Sequence, residues 1–172
     1  MKKTFFILLL SFTITYAKLQ ITSFQSDFIQ TVTNEQNKTL CYKGEIFFKA
    51  PNMVKWVYTS PMPKEIYIKE YQVTIIDKAL EQILIKRIDP NFDFQTILKK
   101  AKKISKDHYQ AKYNGKLFDI FLKNGILWRI LYLDDLGNRV EIKFLHPQQN
   151  VAIDKKVFDF RLDPSWDVIY DQ

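Results

Sequence analysis

The sequence is poor in the residues that staple small proteins or cradle phosphates: one cysteine, four glycines and six prolines in 172 residues. A single thiol at Cys41 cannot close an internal disulfide, so the fold has to rest on its hydrophobic core. Glycines at 44, 115, 125 and 137 are too dispersed for a phosphate-binding loop, and no Gly-x-Ser-x-Gly elbow occurs. NTPase and serine-hydrolase chemistry therefore have no support. His108 and His146 are the only histidines, and with Cys41 they fit no usual zinc spacing. Asp134-Asp135 lacks the surrounding acidic loop of a calcium site and reads as a solvated hairpin tip. No catalytic residue, metal or cofactor is expected, and the chain reads as a non-enzyme.

What is present is apolar and basic. Hydrophobic residues make up 47% and aromatics 15%, which excludes disorder, and 26 Lys+Arg against 19 Asp+Glu give a formal charge of +7. Met1-Lys2-Lys3 followed by an apolar stretch from Phe5 and by Thr15-Tyr16-Ala17 has the layout of a secretory signal peptide over residues 1–17. The apolar run Phe5–Ala17 is 13 residues, short of the about 20 a membrane-spanning helix needs. Cleavage after Ala17 leaves 18–172 as one domain of 155 residues with 24 cations against 19 acids, a charge of +5. An exported chain has no nucleic-acid partner to meet. No cysteine lies near the cut, so a lipid anchor on the mature chain is not expected.

Along that chain, Ile21, Phe24, Phe28 and Val32 recur at three, four and four, which predicts an amphipathic helix over about 19–33. From Leu40 the period becomes two: Leu40, Tyr42, Gly44, Ile46 and Phe48 share one face of a strand that Pro51 ends. Val54/Trp56/Tyr58, Ile66/Ile68, Val73/Ile75 and Ile83/Ile85 continue a meander. A second helix is predicted from Phe94, Ile97, Leu98, Ala101 and Ile104, its other side carrying Lys99, Lys102, Lys103 and Lys106. That lysine face is either a solubilising surface or a contact for anionic lipid or an acidic partner. Asn114-Gly115, Asn124-Gly125 and Asp134–Asn138 mark hairpin turns between further strands. A tail with Phe158, Phe160, Trp166, Val168 and Ile169 supplies one or two closing strands. Leu127, Leu131 and Leu133 oppose Ile126, Trp128, Ile130 and Tyr132, so several strands are apolar on both faces. Such a sheet is covered on both sides or encloses a cavity. The expected architecture is mainly β: a strongly curved antiparallel sheet or incomplete barrel with two helices.

Several stretches resemble the LolA family of periplasmic lipoprotein carriers, in the family's order: Ser23–Val32, Gly44–Tyr58 with Pro61 following, Asp77–Gln82, Asn150, Phe158-Asp159-Phe160, Pro164 and Asp167-Val168-Ile169. The resemblance implies an incomplete barrel of about eleven strands with helices as a lid over a hydrophobic cavity. It further implies a monomer that takes lipoproteins from the inner-membrane ABC transporter LolCDE and passes them to the outer membrane, through a receptor of the LolB type if one is present. A lipid- or lipoprotein-sensing periplasmic regulator of the same fold is the alternative, and the extra domain such a regulator carries is not seen here. On this reading the lid carries Phe94, Ile97 and Leu98, with Phe24 and Phe28 on the first helix. The acyl-binding wall carries Ile46, Phe48, Trp56, Tyr58, Ile66, Ile68, Ile75 and Phe144. Ala50 stands where many members have the Arg that ties lid to barrel. The flanking Lys49 and Lys55, lacking a guanidinium's planar fork, become the candidates for that latch, and Lys99 and Lys103 for a latch or partner contact.

Overall fold

A computed structural model describes residues 19–88, 97–98 and 100–171. Among these residues the chain forms one open sheet of 13 strands. They are β1 (Ser23–Thr33), β2 (Thr39–Lys49), β3 (Met53–Ser60), β4 (Lys64–Lys69), β5 (Gln72–Asp77), β6 (Gln82–Arg87), β7 (Lys102–Ser105), β8 (His108–Tyr113), β9 (Lys116–Lys123), β10 (Ile126–Leu133), β11 (Arg139–Phe144), β12 (Gln148–Gln149) and β13 (Asp167–Asp171). The spatial order is β13-β6-β5-β4-β3-β2-β1-β11-β10-β9-β8-β7, with β12 beside β1. Every pairing is antiparallel except β13 on β6.

The first predicted helix is a correction: residues 23–33 are the central strand β1, paired with β2 along its whole length (Phe24↔Phe48, Phe28↔Gly44, Val32↔Leu40) and with β11 (Phe28↔Phe144). Phe24 and Phe28 therefore belong to the sheet and not to a lid. Of the second helix, Ile97 and Leu98 are helical, while Phe94 and Lys99 lie outside the described residues, as does the signal segment 1–17. Lys102 and Lys103 are in strand β7, not on a helix. The lid of helices is thus not formed among the described residues. None of their helices is long and apolar enough to cross a membrane.

Local chemistry accounts for the turns. Asn114-Gly115 and Asn124-Gly125 all take positive φ, between 47° and 79°, as two-residue hairpins require. The Asp134 carboxylate accepts from the backbone N–H groups of Leu136 and Asn138 and closes the β10–β11 loop. Glu70, in the β4–β5 turn, carries a φ of 56° that glycine would take without cost.

Cross-strand partners share a face, so the register sorts the side chains. The inner face carries Phe24, Phe28, Ile46, Phe48, Ile120, Leu127, Val140, Ile142 and Phe144, all buried and forming one core cluster with Leu19, Ile21 and Leu98. The outer face between β2 and β6 is crossed by the chain after β12, through a 3-10 turn (Lys155–Phe158) whose Phe158 is buried. There Phe160 lies 4.8 Å from the Tyr67 ring. Both faces are thus covered over part of the sheet, as the two-sided apolar pattern requires.

Candidate functional site

The inner face holds an aromatic cluster that begins at a glycine. Gly44 lies between Phe28 on β1 and Tyr58 on β3, and the Phe28 ring occupies the space a side chain there would need. From that seat Phe28 stands 4.7 Å from Trp56 and 5.5 Å from Tyr58, and Phe24 packs edge-on against Phe144 at 4.9 Å. The Tyr58 hydroxyl donates to Gln30 Oε1 at 2.9 Å. Burial is the main cause that pushes its phenol up to about 12, so it stays neutral.

Beside this cluster the inner face encloses a cavity of about 200 Å³, lined by Ile21, Phe24, Ile46, Phe48, Val54, Trp56, Ile68, Leu127, Ile130 and Phe144. Every lining residue is apolar or aromatic. A larger groove of about 820 Å³ lies on the outer face, but its open walls mix Tyr67 and Phe158 with Lys69, Glu70 and Arg87. Of the two, only the inner cavity is lined wholly by apolar and aromatic side chains.

Six residues singled out from sequence line the cavity: Phe24, Ile46, Phe48, Trp56, Ile68 and Phe144. Phe28 and Tyr58 contact Trp56 alongside it, and Ile66 and Ile75 continue the Trp56 row outward along the same face. Ile97 and Leu98 pack against the core cluster without lining the cavity. Ile21, Val54, Leu127 and Ile130 were missed. Val54 and Ile130 are readable by alternation with Trp56 and Tyr132. Leu127 is not, because an irregularity between Leu127 and Arg129 resets the alternation there.

The lysines go elsewhere. Lys49 donates to the Ile153 carbonyl, and Lys55 sits over the Phe47 and Tyr67 rings at 6.0 and 5.6 Å, all on the outer face. The structure does not bring either to the cavity. Lys103 is exposed on the edge strand β7. Among the described residues no group of three His, Cys, Asp or Glu side chains is placed to hold a metal.

Residues 19–123 match the family described as "Outer membrane lipoprotein carrier protein LolA". The chain is 34% identical over 170 residues to the outer-membrane lipoprotein carrier protein of Campylobacter jejuni, covering 98% of this chain and 99% of that one. It is 33% identical over 150 residues to that of Wolinella succinogenes, covering 87% of each. Among solved structures, an uncharacterized conserved protein from Thermus thermophilus shares the fold with a TM-score of 0.55 at 13% identity, over 90% of this chain and 93% of that one. The chain therefore belongs to the LolA family of outer membrane lipoprotein carrier proteins.

Proposed function

We propose that this protein is a periplasmic carrier that shields the acyl chains of lipoproteins in its inner cavity while they cross from the inner to the outer membrane. The observation that carries the reading is a wholly apolar cavity inside an open sheet, in a chain of the carrier family. Each buried CH₂ is worth about 0.8 kcal/mol, so a palmitoyl chain resists entering water by roughly 12 kcal/mol. A carrier must match much of that and still release its cargo.

The cavity's size supplies the means. About 200 Å³ is below the ~300–1,000 Å³ of ordinary ligand sites, so cargo enters only when something on the inner face gives way. Ile97 and Leu98, held by side-chain packing on the core cluster outside the strand ladders, are the plug that moves. Breaking their contacts offsets part of the acyl burial and keeps the net affinity moderate. On this reading Phe24, Phe28, Ile46, Phe48, Trp56, Tyr58, Ile66, Ile68, Ile75 and Phe144 form the acyl-contacting face. Signal-peptide removal after Ala17 delivers the chain to the periplasm, LolCDE loads it, and the outer membrane unloads it, through a LolB-type receptor if one is present. The role needs no catalytic group.

The test is mass spectrometry of the protein released from spheroplasts. Co-purified triacylated lipoprotein is the expected result, and free phospholipid alone would sink the reading. Ile97→Asp should fold yet hold lipoprotein at least tenfold more tightly, because a carboxylate on the apolar face costs several kcal/mol and weakens the plug contacts that cargo otherwise has to break.

A further inference from the structure

Of the ten side chains that line the cavity, nine belong to strands β1, β2, β3, β4, β10 and β11, and one, Ile21, does not. The backbones of the nine are fixed by cross-strand register, and shifting any of those means breaking a ladder. Ile21 is 1% exposed and precedes β1, as does Leu19 at 7%.

The segment is placed by an asparagine far away in the chain. The Asn150 side chain accepts at Oδ1 from the Thr22 backbone N–H at 2.8 Å and from the Thr22 hydroxyl at 3.1 Å, and its Nδ2 donates to the Gln20 carbonyl at 3.4 Å. Its own N–H donates to the Ser23 carbonyl at 2.8 Å, and on the other side Ala50 N–H donates to the Thr22 carbonyl at 2.9 Å. Asn150 holds a φ of 59°, a left-handed conformation that asparagine tolerates better than most residues. Ile21 is thus flanked by the two residues, Gln20 and Thr22, that the one amide grips.

We infer that the Leu19–Thr22 segment is the end wall of the acyl site, that Ile21 sets the length of chain the site accepts, and that Asn150 is the positioning residue that holds this wall. The inference rests on the carrier reading and assigns different tasks to the two plugs that lie outside the strands. Ile97 and Leu98 yield at entry, while Leu19 and Ile21 stay and limit depth. The Asn150 amide acts on this wall beside the backbone bonds to Thr22 and Ser23, so its substitution adjusts the wall without touching the sheet.

Chain-length selectivity tests it: displacement of the apolar dye N-phenyl-1-naphthylamine from the delipidated protein by saturated fatty acids from decanoate to stearate. In the wild type, affinity should rise about fourfold per added carbon up to a limiting length and then stop rising. Ile21→Val should move that limit up by about one carbon and Ile21→Ala by about two or three, in step with the volume removed. Ile21→Trp should shorten it. Asn150→Gly keeps the backbone angle and loses the clasp, so the limit should blur and stearate should bind at least fourfold tighter. Asn150→Asp retains the Oδ1 acceptor for Thr22 but loses the donor to the Gln20 carbonyl, so it should blur the limit less than Asn150→Gly does. Ile97→Ala should change affinity for all lengths alike and leave the limit in place.

An unchanged limit in Ile21→Val, Ile21→Trp and Asn150→Gly would overturn the wall assignment while the carrier reading stands. A limit in Asn150→Gly as sharp as the wild type's, with the Ile21 variants shifted as expected, would remove Asn150 from the role. Failure of every fatty acid to displace dye from the wild type would defeat the carrier reading itself, and the wall with it.

Discussion

Gly44 governs more of the inner face than its size suggests. A Cβ at that position would lie 1.8 Å from the Val57 carbonyl oxygen and 2.8 Å from the Phe28 ring. The first is a backbone atom of the neighbouring strand and cannot swing aside. Gly44→Ala should therefore destabilise the protein by about 3 kcal/mol, at the upper end of overpacking costs. The measurement is a urea titration, in which the midpoint should fall at unchanged slope. A loss below ~1 kcal/mol would mean that β3 stands off farther than the contact implies. At this scale the sequence is a good guide wherever alternation is unbroken. Ile46 and Phe48 follow Gly44 in steps of two and reach the cavity, whereas Leu127 is hidden behind the bulge at Trp128, where two successive residues stay on the outer side. Trp128 and Phe121 then hold the Arg129 guanidinium between them, at 4.9 and 4.3 Å.

Among elements, β1 is where sequence reasoning fails, and the failure has a plain geometric cause. Phe24, Phe28 and Val32 are four apart, a spacing that returns to the same face in a helix and in a strand alike. The residues that would decide the matter, Ser26 and Gln30, are polar inner-face positions opposite Ile46 and Tyr42, so the alternation is masked. Ile21, which extends the helical spacing by one more step, lies outside the element. The β-branched run Thr31-Val32-Thr33 was the available strand signal. Lys102–Ser105 falls to the same ambiguity, since Ile104 continues a helical spacing although the segment pairs with β8. The meander from β3 to β6 was legible because its apolar pairs alternate between proline and turn punctuation. The same meander also carries a pH dependence. Burial alone would raise the Glu65 carboxyl, but Lys78 at 2.6 Å and the Tyr67 hydroxyl at 2.6 Å hold it below its ordinary value. Burial likewise opposes, and Lys64 at 3.1 Å outweighs, at Asp77. Both carboxyls bind protons less readily folded than unfolded, so their stabilisation is present above the ordinary carboxylate range and lost as the pH falls through it. Thermal midpoints should drop below about pH 5, and Glu65→Gln should flatten part of that decline. An unaltered pH profile in Glu65→Gln would remove Glu65 as one of its sources.

At the scale of the whole molecule, stability is graded across the sheet. Phe28, Phe48 and Val140 on the central strands are 1–2% exposed, whereas every residue of the two outermost strands, β7 and β13, is exposed. Amide hydrogen exchange should therefore be slowest in β1, β2 and β11 and quicken outward, with β7 and β13 exchanging through local opening. Equal protection in β13 and β1 would contradict this gradient. The central position of β1 has one more outcome, in the order of biosynthesis. Its neighbour β11 follows it by 116 residues, from Phe28 to Phe144, which at 5–20 residues per second takes about ten seconds to synthesise. Until then β1 has only one neighbouring strand and the inner face is open along its middle. The cavity, whose lining includes Leu127, Ile130 and Phe144 from this late part of the chain, is therefore incomplete until nearly the whole chain has been made, so no cargo can be enclosed before the protein is finished.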